Sequence, residues 1–181
     1  GTTAPTVCAV HDHHLVVAGA DAAKDTIYYS HNFEPENFTG AGAGSIKLSD
    51  QVIGLKSFRG DLIIFCRNSL HKLININDSS NIAVVPITQN VGCLSSHSIQ
   101  EIGGDLVFLS PDGIRSVAGT SRIGDVELGS VSRQIQSIVS NIANAVNTFT
   151  ITSAVLRSKS QYRLFYTVLN GSTASARGII G

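Results

Sequence analysis

Arg59-Gly60-Asp61-Leu62-Ile63-Ile64-Phe65 recurs as Gly103-Gly104-Asp105-Leu106-Val107-Phe108-Leu109, an offset of 44 residues. A weaker copy, His13-His14-Leu15-Val16-Val17-Ala18, precedes the middle one by 47 residues. A fourth, Ser160-Gln161-Tyr162-Arg163-Leu164-Phe165-Tyr166, follows after a longer gap. A repeat in the forties is the period of four-stranded propeller blades. Gly-Asp dipeptides suit tight turns because glycine takes positive φ without a steric penalty.

Working outward, each copy has the same grammar. A strand precedes the turn: Val52–Phe58, then Ser98–Ile102, then Thr152–Leu156. The apolar central strand follows. A second turn, Arg67-Asn68-Ser69 or Ser110-Pro111-Asp112-Gly113, leads to a third strand, Leu70–Ile74 or Ile114–Val117. Short, evenly spaced strands with turns between them make an antiparallel meander. The central runs are apolar on both sides of the alternation, which suits strands covered on both faces. The fold class read here is all-β, with β-propeller-like antiparallel blades repeating every 44–47 residues. One module of three to four blade units spans residues 1–181, and the absence of Met together with the strand-like ending at 177–181 reads as a piece of a longer chain.

One segment departs from this grammar. Val131, Ile135, Ile138, Val139, Ile142 and Val146 recur at steps of three and four, and they predict one inserted amphipathic helix near residues 130–146 with Ser130 as its N-cap. A helix packed on the blades is the simpler reading; a docking element for a neighbouring subunit is the bolder one.

Composition narrows the function. Charged residues are only 14% of the 181, and thirteen basic residues balance thirteen acidic ones. About a quarter charged is usual for a solitary domain, so a chain with so little charge suits contact with other protein over much of its surface. The balance does not predict a strongly basic nucleic-acid face. No apolar run approaches the length of a membrane span, and no signal peptide opens the sequence.

Candidate chemistry is thin. His11-Asp12-His13-His14 is the densest polar cluster; His11 and His13 share a strand parity and could share a metal, but no third ligand is visible and a solvated turn is the simpler account. Ser110-Pro111-Asp112-Gly113 weakly resembles the aspartate box of sialidase propellers, without the Trp that box carries, and reads as a β-turn. Gly40-Ala41-Gly42-Ala43-Gly44-Ser45 lacks the Lys-Ser or Lys-Thr of a phosphate loop and reads as a flexible connection. Glu34 and Glu36 flank Pro35 and would do acid–base work only if buried together. Cys8, Cys66 and Cys93 form no Cys-x-x-Cys pair, and Cys66 reads as a small buried hydrophobe. Tyr28 and Tyr29 sit in a strand-like run. The reading is of a non-enzymatic protein with no catalytic, cofactor-binding or metal-binding residues and no cofactor.

Several stretches resemble elements of phage virion proteins: Tyr28-Tyr29-Ser30 followed by Pro35-Glu36-Asn37-Phe38; residues 53–65; Val91-Gly92-Cys93; and residues 103–113. Their order and spacing are similar to propeller-bearing tail nozzle (tail tubular) proteins and packaged-DNA stabilisation proteins of short-tailed phages, over residues 13–166. That resemblance implies a structural subunit of the virion tail. It implies a homo-oligomeric ring, commonly of six copies, below the adaptor proteins, with attachment of fibres. It also implies a channel through which DNA passes without sequence-specific binding during ejection. Nozzle proteins are several times longer than this chain. A host-glycan-binding propeller module is the alternative, and a sialidase-type hydrolase a third.

Overall fold

A computed structural model describes residues 4–118, 136–144, 150–170 and 173–180. The chain folds as two compact units, Gly1–Cys93 and Leu94–Gly181. The first holds two four-stranded antiparallel meanders. Strands β1 (Val7–His11), β2 (His14–Ala20), β3 (Ala23–Tyr29) and β4 (Gly44–Lys47) pair in order. So do β5 (Val52–Phe58), β6 (Asp61–Cys66), β7 (Leu70–Ile74) and β8 (Ala83–Thr88). The second unit holds two three-stranded meanders: β9 (Gln100–Ile102), β10 (Asp105–Ser110) and β11 (Gly113–Ser116), then β12 (Ile151–Leu156), β13 (Gln161–Asn170) and β14 (Thr173–Ile180). The fold is all-β with propeller-like blades, and the first strands of successive blades lie side by side within each unit: β1 against β5, and β9 against β12.

The repeat is a repeat of turns. Asp12 and His13, Arg59 and Gly60, and Gly103 and Gly104 all have positive φ. They are closed by the pairs His11↔His14, Phe58↔Asp61 and Ile102↔Asp105. Two-residue loops with positive φ at both positions match the right-handed twist of the strands they join. The fourth copy differs: Leu156 pairs with Gln161 across a four-residue loop in which Ser160 takes the left-handed conformation.

Burial follows the central strands. Leu62, Ile64 and Cys66 on one face of β6, and Ile63 and Phe65 on the other, are all buried. Leu106 to Leu109 of β10 are buried in the same way. One core of the first unit joins Val16, Ala18 and Ile27 to Leu55, Leu62, Ile64 and Leu73. Burying a side chain the size of Phe65 contributes about 2–3 kcal/mol.

Some expectations shift. β1 and the fourth strands β4 and β8 are additions to the predicted three-strand units; β8 carries Pro86, as an outer strand tolerates. Ser98 closes a short 3-10 turn, so β9 starts at Gln100. The stretch 40–45 is not wholly a flexible connection, because Gly44 and Ser45 open β4. The helix α1 runs Gln136–Asn144; Ser130, Val131, Ile135 and Val146 lie outside the described residues. Val139 and Ile142 enter the core of the second unit with Leu109, Ile114 and Leu164, while Ile138 is 40% exposed.

Candidate functional site

The histidine cluster straddles the β1–β2 turn, and the turn sends its three rings into three environments. His11, the last residue of β1, is buried, and its Nδ1 lies 2.9 Å from Ser57 Oγ on β5. Burial pushes the His11 pKa below its ordinary value; Asp12 and Asp61 oppose that shift and His14 adds to it. His13 is exposed, and its ring stacks on Phe33 with centroids 4.2 Å apart and planes at 21°. His14 opens β2 and is buried, with Nδ1 2.6 Å from the Ser30 carbonyl and Nε2 2.9 Å from Asn77 Oδ1. A wholly solvated turn is therefore not what forms: only Asp12 and His13 meet solvent. Among the described residues, no three His, Cys, Asp or Glu side chains are grouped to hold a metal ion.

Beside His14 lies a cavity of about 250 Å3, lined by Tyr29, His31, Asn32, Ile76 and Asn77 among others. A larger concavity, about 680 Å3, is lined only by the consecutive residues Glu34 to Thr39, so it is the hollow side of one loop rather than an enclosure. Glu34 and Glu36 in that loop are both exposed and are not buried together. Glu34 accepts a hydrogen bond from Asn37 Nδ2 at 2.8 Å.

A constellation that sequence reading misses lies at the β6–β7 turn. Ser69 Oγ lies 2.9 Å from His71 Nε2 and 3.0 Å from Asp50 Oδ2. The residue types are those of a hydrolase triad, but the wiring is different. An ionised carboxylate only accepts, so the Ser69 hydroxyl donates to Asp50 and His71 donates to Ser69. In a nucleophile–base pair the imidazole must instead accept the hydroxyl proton. Asp50 also accepts from the backbone N–H of Asn68 and of Gln51, which makes it a brace for the turn. Burial holds the His71 pKa below its ordinary value, against the pull of Asp50.

The Ser110–Gly113 turn is braced in a related way. Ser110 pairs with Gly113 across it. Asp112 accepts from Ser110 Oγ at 3.0 Å and from Arg115 Nε at 2.8 Å, with a second contact from Arg115 Nη2. Burial works to raise the Asp112 pKa, but the hydrogen bonds from Arg115 and Ser110 and the Arg115 charge leave it below the ordinary value. Arg115 is itself buried, so this carboxylate is spent on holding a guanidinium.

The cysteines are free thiols: Cys8 is exposed, Cys66 and Cys93 buried. Burial, chiefly, pushes the Cys66 pKa up to about 12, which leaves it an inert hydrophobe at neutral pH. Tyr29 is buried at the end of β3, and its hydroxyl sits 2.5 Å from where a Cβ on Gly44 would lie.

No family model matches the chain, and no curated protein matches it. Among solved structures, the crystal structure of the N-terminal domain of Nup159 is similar, with 16% identity and a TM-score of 0.47, over 96% of this chain and 42% of that one. The chain thus spans less than half of that structure, and a likeness at this level says nothing about function.

Proposed function

We propose that this chain is a structural, non-enzymatic subunit of a phage tail: a blade-bearing part of a nozzle (tubular) protein that helps form the DNA exit channel and an attachment platform in the virion. The observation that carries this reading is the ordered set of motifs resembling propeller-bearing tail proteins. Those motifs fall at joints of the fold. Arg59-Gly60 and Gly103-Gly104 close hairpins, and Gly92 lets the chain pass where a Cβ would lie 1.9 Å from the Arg67 carbonyl oxygen. The polar clusters at Ser69 and Asp112 brace turns and hold no hydroxyl poised for attack. A charge balance near zero suits a channel wall, because many Lys or Arg side chains on the phosphate backbone would slow DNA passage.

Cryo-electron microscopy of the native particle or complex tests the reading. Density for these blades in a symmetric ring, such as six copies around a DNA-sized channel with adaptor and fibre proteins attached, is the expected result. A free monomer with a closed small propeller overturns it. A second reading, a host-glycan-binding module, is favoured by the exposed stack of His13 on Phe33.

A further inference from the structure

We infer that one end of the first unit is a site for a neutral sugar ring, built where His13-His14 and Asn32-Phe33 run side by side. The inference rests on the glycan-binding reading and locates its site. The N–H of Phe33 donates to the His13 carbonyl at 3.0 Å, which sets the two dipeptides together. Each sends one side chain to the cavity and one to solvent. His14 and Asn32 line the cavity of about 250 Å3; His13 and Phe33 form the stack, with Phe33 71% exposed.

The chemistry of the two parts selects the ligand. The cavity is lined by amides, imidazoles, the phenol side chain of Tyr29, a hydroxyl at Ser79 and the apolar Ile76, and no Lys, Arg, Asp or Glu lines it. Such a wall suits a neutral ligand rich in hydroxyls. Asn32 spends its Nδ2 on Asn77 Oδ1 at 2.9 Å, while its Oδ1 is buried without a hydrogen-bond partner. An unpaired acceptor in a cavity wall is costly and is relieved by a donor such as a sugar hydroxyl. Outside, an exposed aromatic ring offers its electron-rich face to the apolar C–H face of a pyranose. The volume suits a single ring rather than a long chain.

Backbone conformation adds an independent argument. His13 and Phe33 both have positive φ without being glycine. That conformation costs an ordinary residue roughly 1–2 kcal/mol. The turn does not need an imidazole, because Gly104 occupies the equivalent position after β9. Strain of this kind concentrates where a side chain has work to do.

The test is an amide NMR titration of the 15N-labelled chain with D-glucose, D-galactose, N-acetyl-D-glucosamine and their methyl glycosides, beside a glycan array probed with the same protein. The expected result is saturable shifts confined to residues 12–14, 31–33, 42–43 and 76–79. Phe33→Ala, at an exposed position, and Ala43→Leu, which fills the cavity, each weaken them by at least about tenfold. The rest of each variant's spectrum reports that the fold is kept. Binding of methyl glycosides identifies a chain-attached sugar as the ligand, and binding of the free sugars alone a free monosaccharide; either supports the site. Array binding that survives both variants overturns the site and leaves the glycan reading standing. No shifts and no array binding overturn both.

Discussion

The imidazole of His14 and the side-chain amide of Asn77, 63 residues apart in sequence, meet at 2.9 Å and tie the first blade to the β7–β8 loop. The orientation of that amide is fixed from its other end. Asn77 Nδ2 donates to the Asp12 carboxylate, which only accepts, so Oδ1 must face His14. The second ring nitrogen of His14 faces the Ser30 carbonyl. Both nitrogens thus face acceptors. His14→Ala is expected to lower stability by about 2–3 kcal/mol, because it opens a buried hole and strands the Ser30 carbonyl. Asn77→Ala, at an exposed position, is expected to cost about 1 kcal/mol. Chemical denaturation of the single and double variants measures the coupling; strictly additive losses would show that the two residues do not act as one link.

His13→Gly is expected to stabilise the protein by about 1 kcal/mol. The substitution converts Asp12-His13 to an Asp-Gly turn, the favoured sequence where both central residues have positive φ. It also removes the ring that stacks on Phe33. A thermal melt that moves upward shows that the imidazole is held at a cost to the fold. A melt that moves downward shows instead that the stack contributes more than the backbone strain removes.

What the sequence reveals and what it hides divide along physical lines. The central strands β6 and β10 are legible because both faces are apolar and the turns before them carry glycine. β5 and β7 match their predicted spans because turns mark them off from β6, Arg59-Gly60 after β5 and Arg67-Asn68-Ser69 before β7. β4 is hidden, because Gly44-Ser45-Ile46-Lys47 has low strand propensity and becomes a strand by pairing with β3, where Gly44 makes room for the Tyr29 hydroxyl. The cavity beside His14 is hidden for another reason. Asn32 and Asn77 sit in Asn-rich loops whose only local signal is turn formation, and nothing in one sequence says that two such loops converge. The Ser69–His71 contact is in principle readable from the i, i+2 spacing where the turn enters β7, but its polarity depends on Asp50, 19 residues before Ser69.

Acid should weaken the first unit before the carboxylates titrate. His11 and His71 both have pKa values held below the ordinary 6.5, mainly by burial. In the unfolded chain they take up protons as the pH falls through 6.5, while in the fold they resist. The unfolded state then binds more protons, so stability is full above 6.5 and declines as the pH falls from there through the folded values. The slope is at most about 1.4 kcal/mol per pH unit for each histidine. Melting temperatures between mildly acidic and neutral pH should fall toward acid, and His71→Asn should flatten the dependence. A flat profile in the parent protein would contradict the burial argument. In the second unit, Asp112 acts in the same direction, but in a lower window below the ordinary carboxylate value of 3.8.

The wiring of Ser69 makes the last prediction. If its hydroxyl donates to Asp50 and accepts from His71, it is no nucleophile, and a fluorophosphonate probe leaves it unlabelled in peptide mass spectrometry. Ser69→Ala then costs about 1–2 kcal/mol, since it leaves the His71 N–H without its acceptor and removes one donor from the Asp50 carboxylate. Asp50→Asn separates the two wirings further. An amide oxygen still accepts from the Ser69 hydroxyl, so a bracing role loses little more than the charge-assisted part of the contact. A nucleophile whose proton goes to His71 would instead keep its reactivity in that variant. Labelling of Ser69 in the parent protein, retained in Asp50→Asn and lost in His71→Asn, would reverse the assignment of donor and acceptor and reopen a hydrolytic reading of this turn.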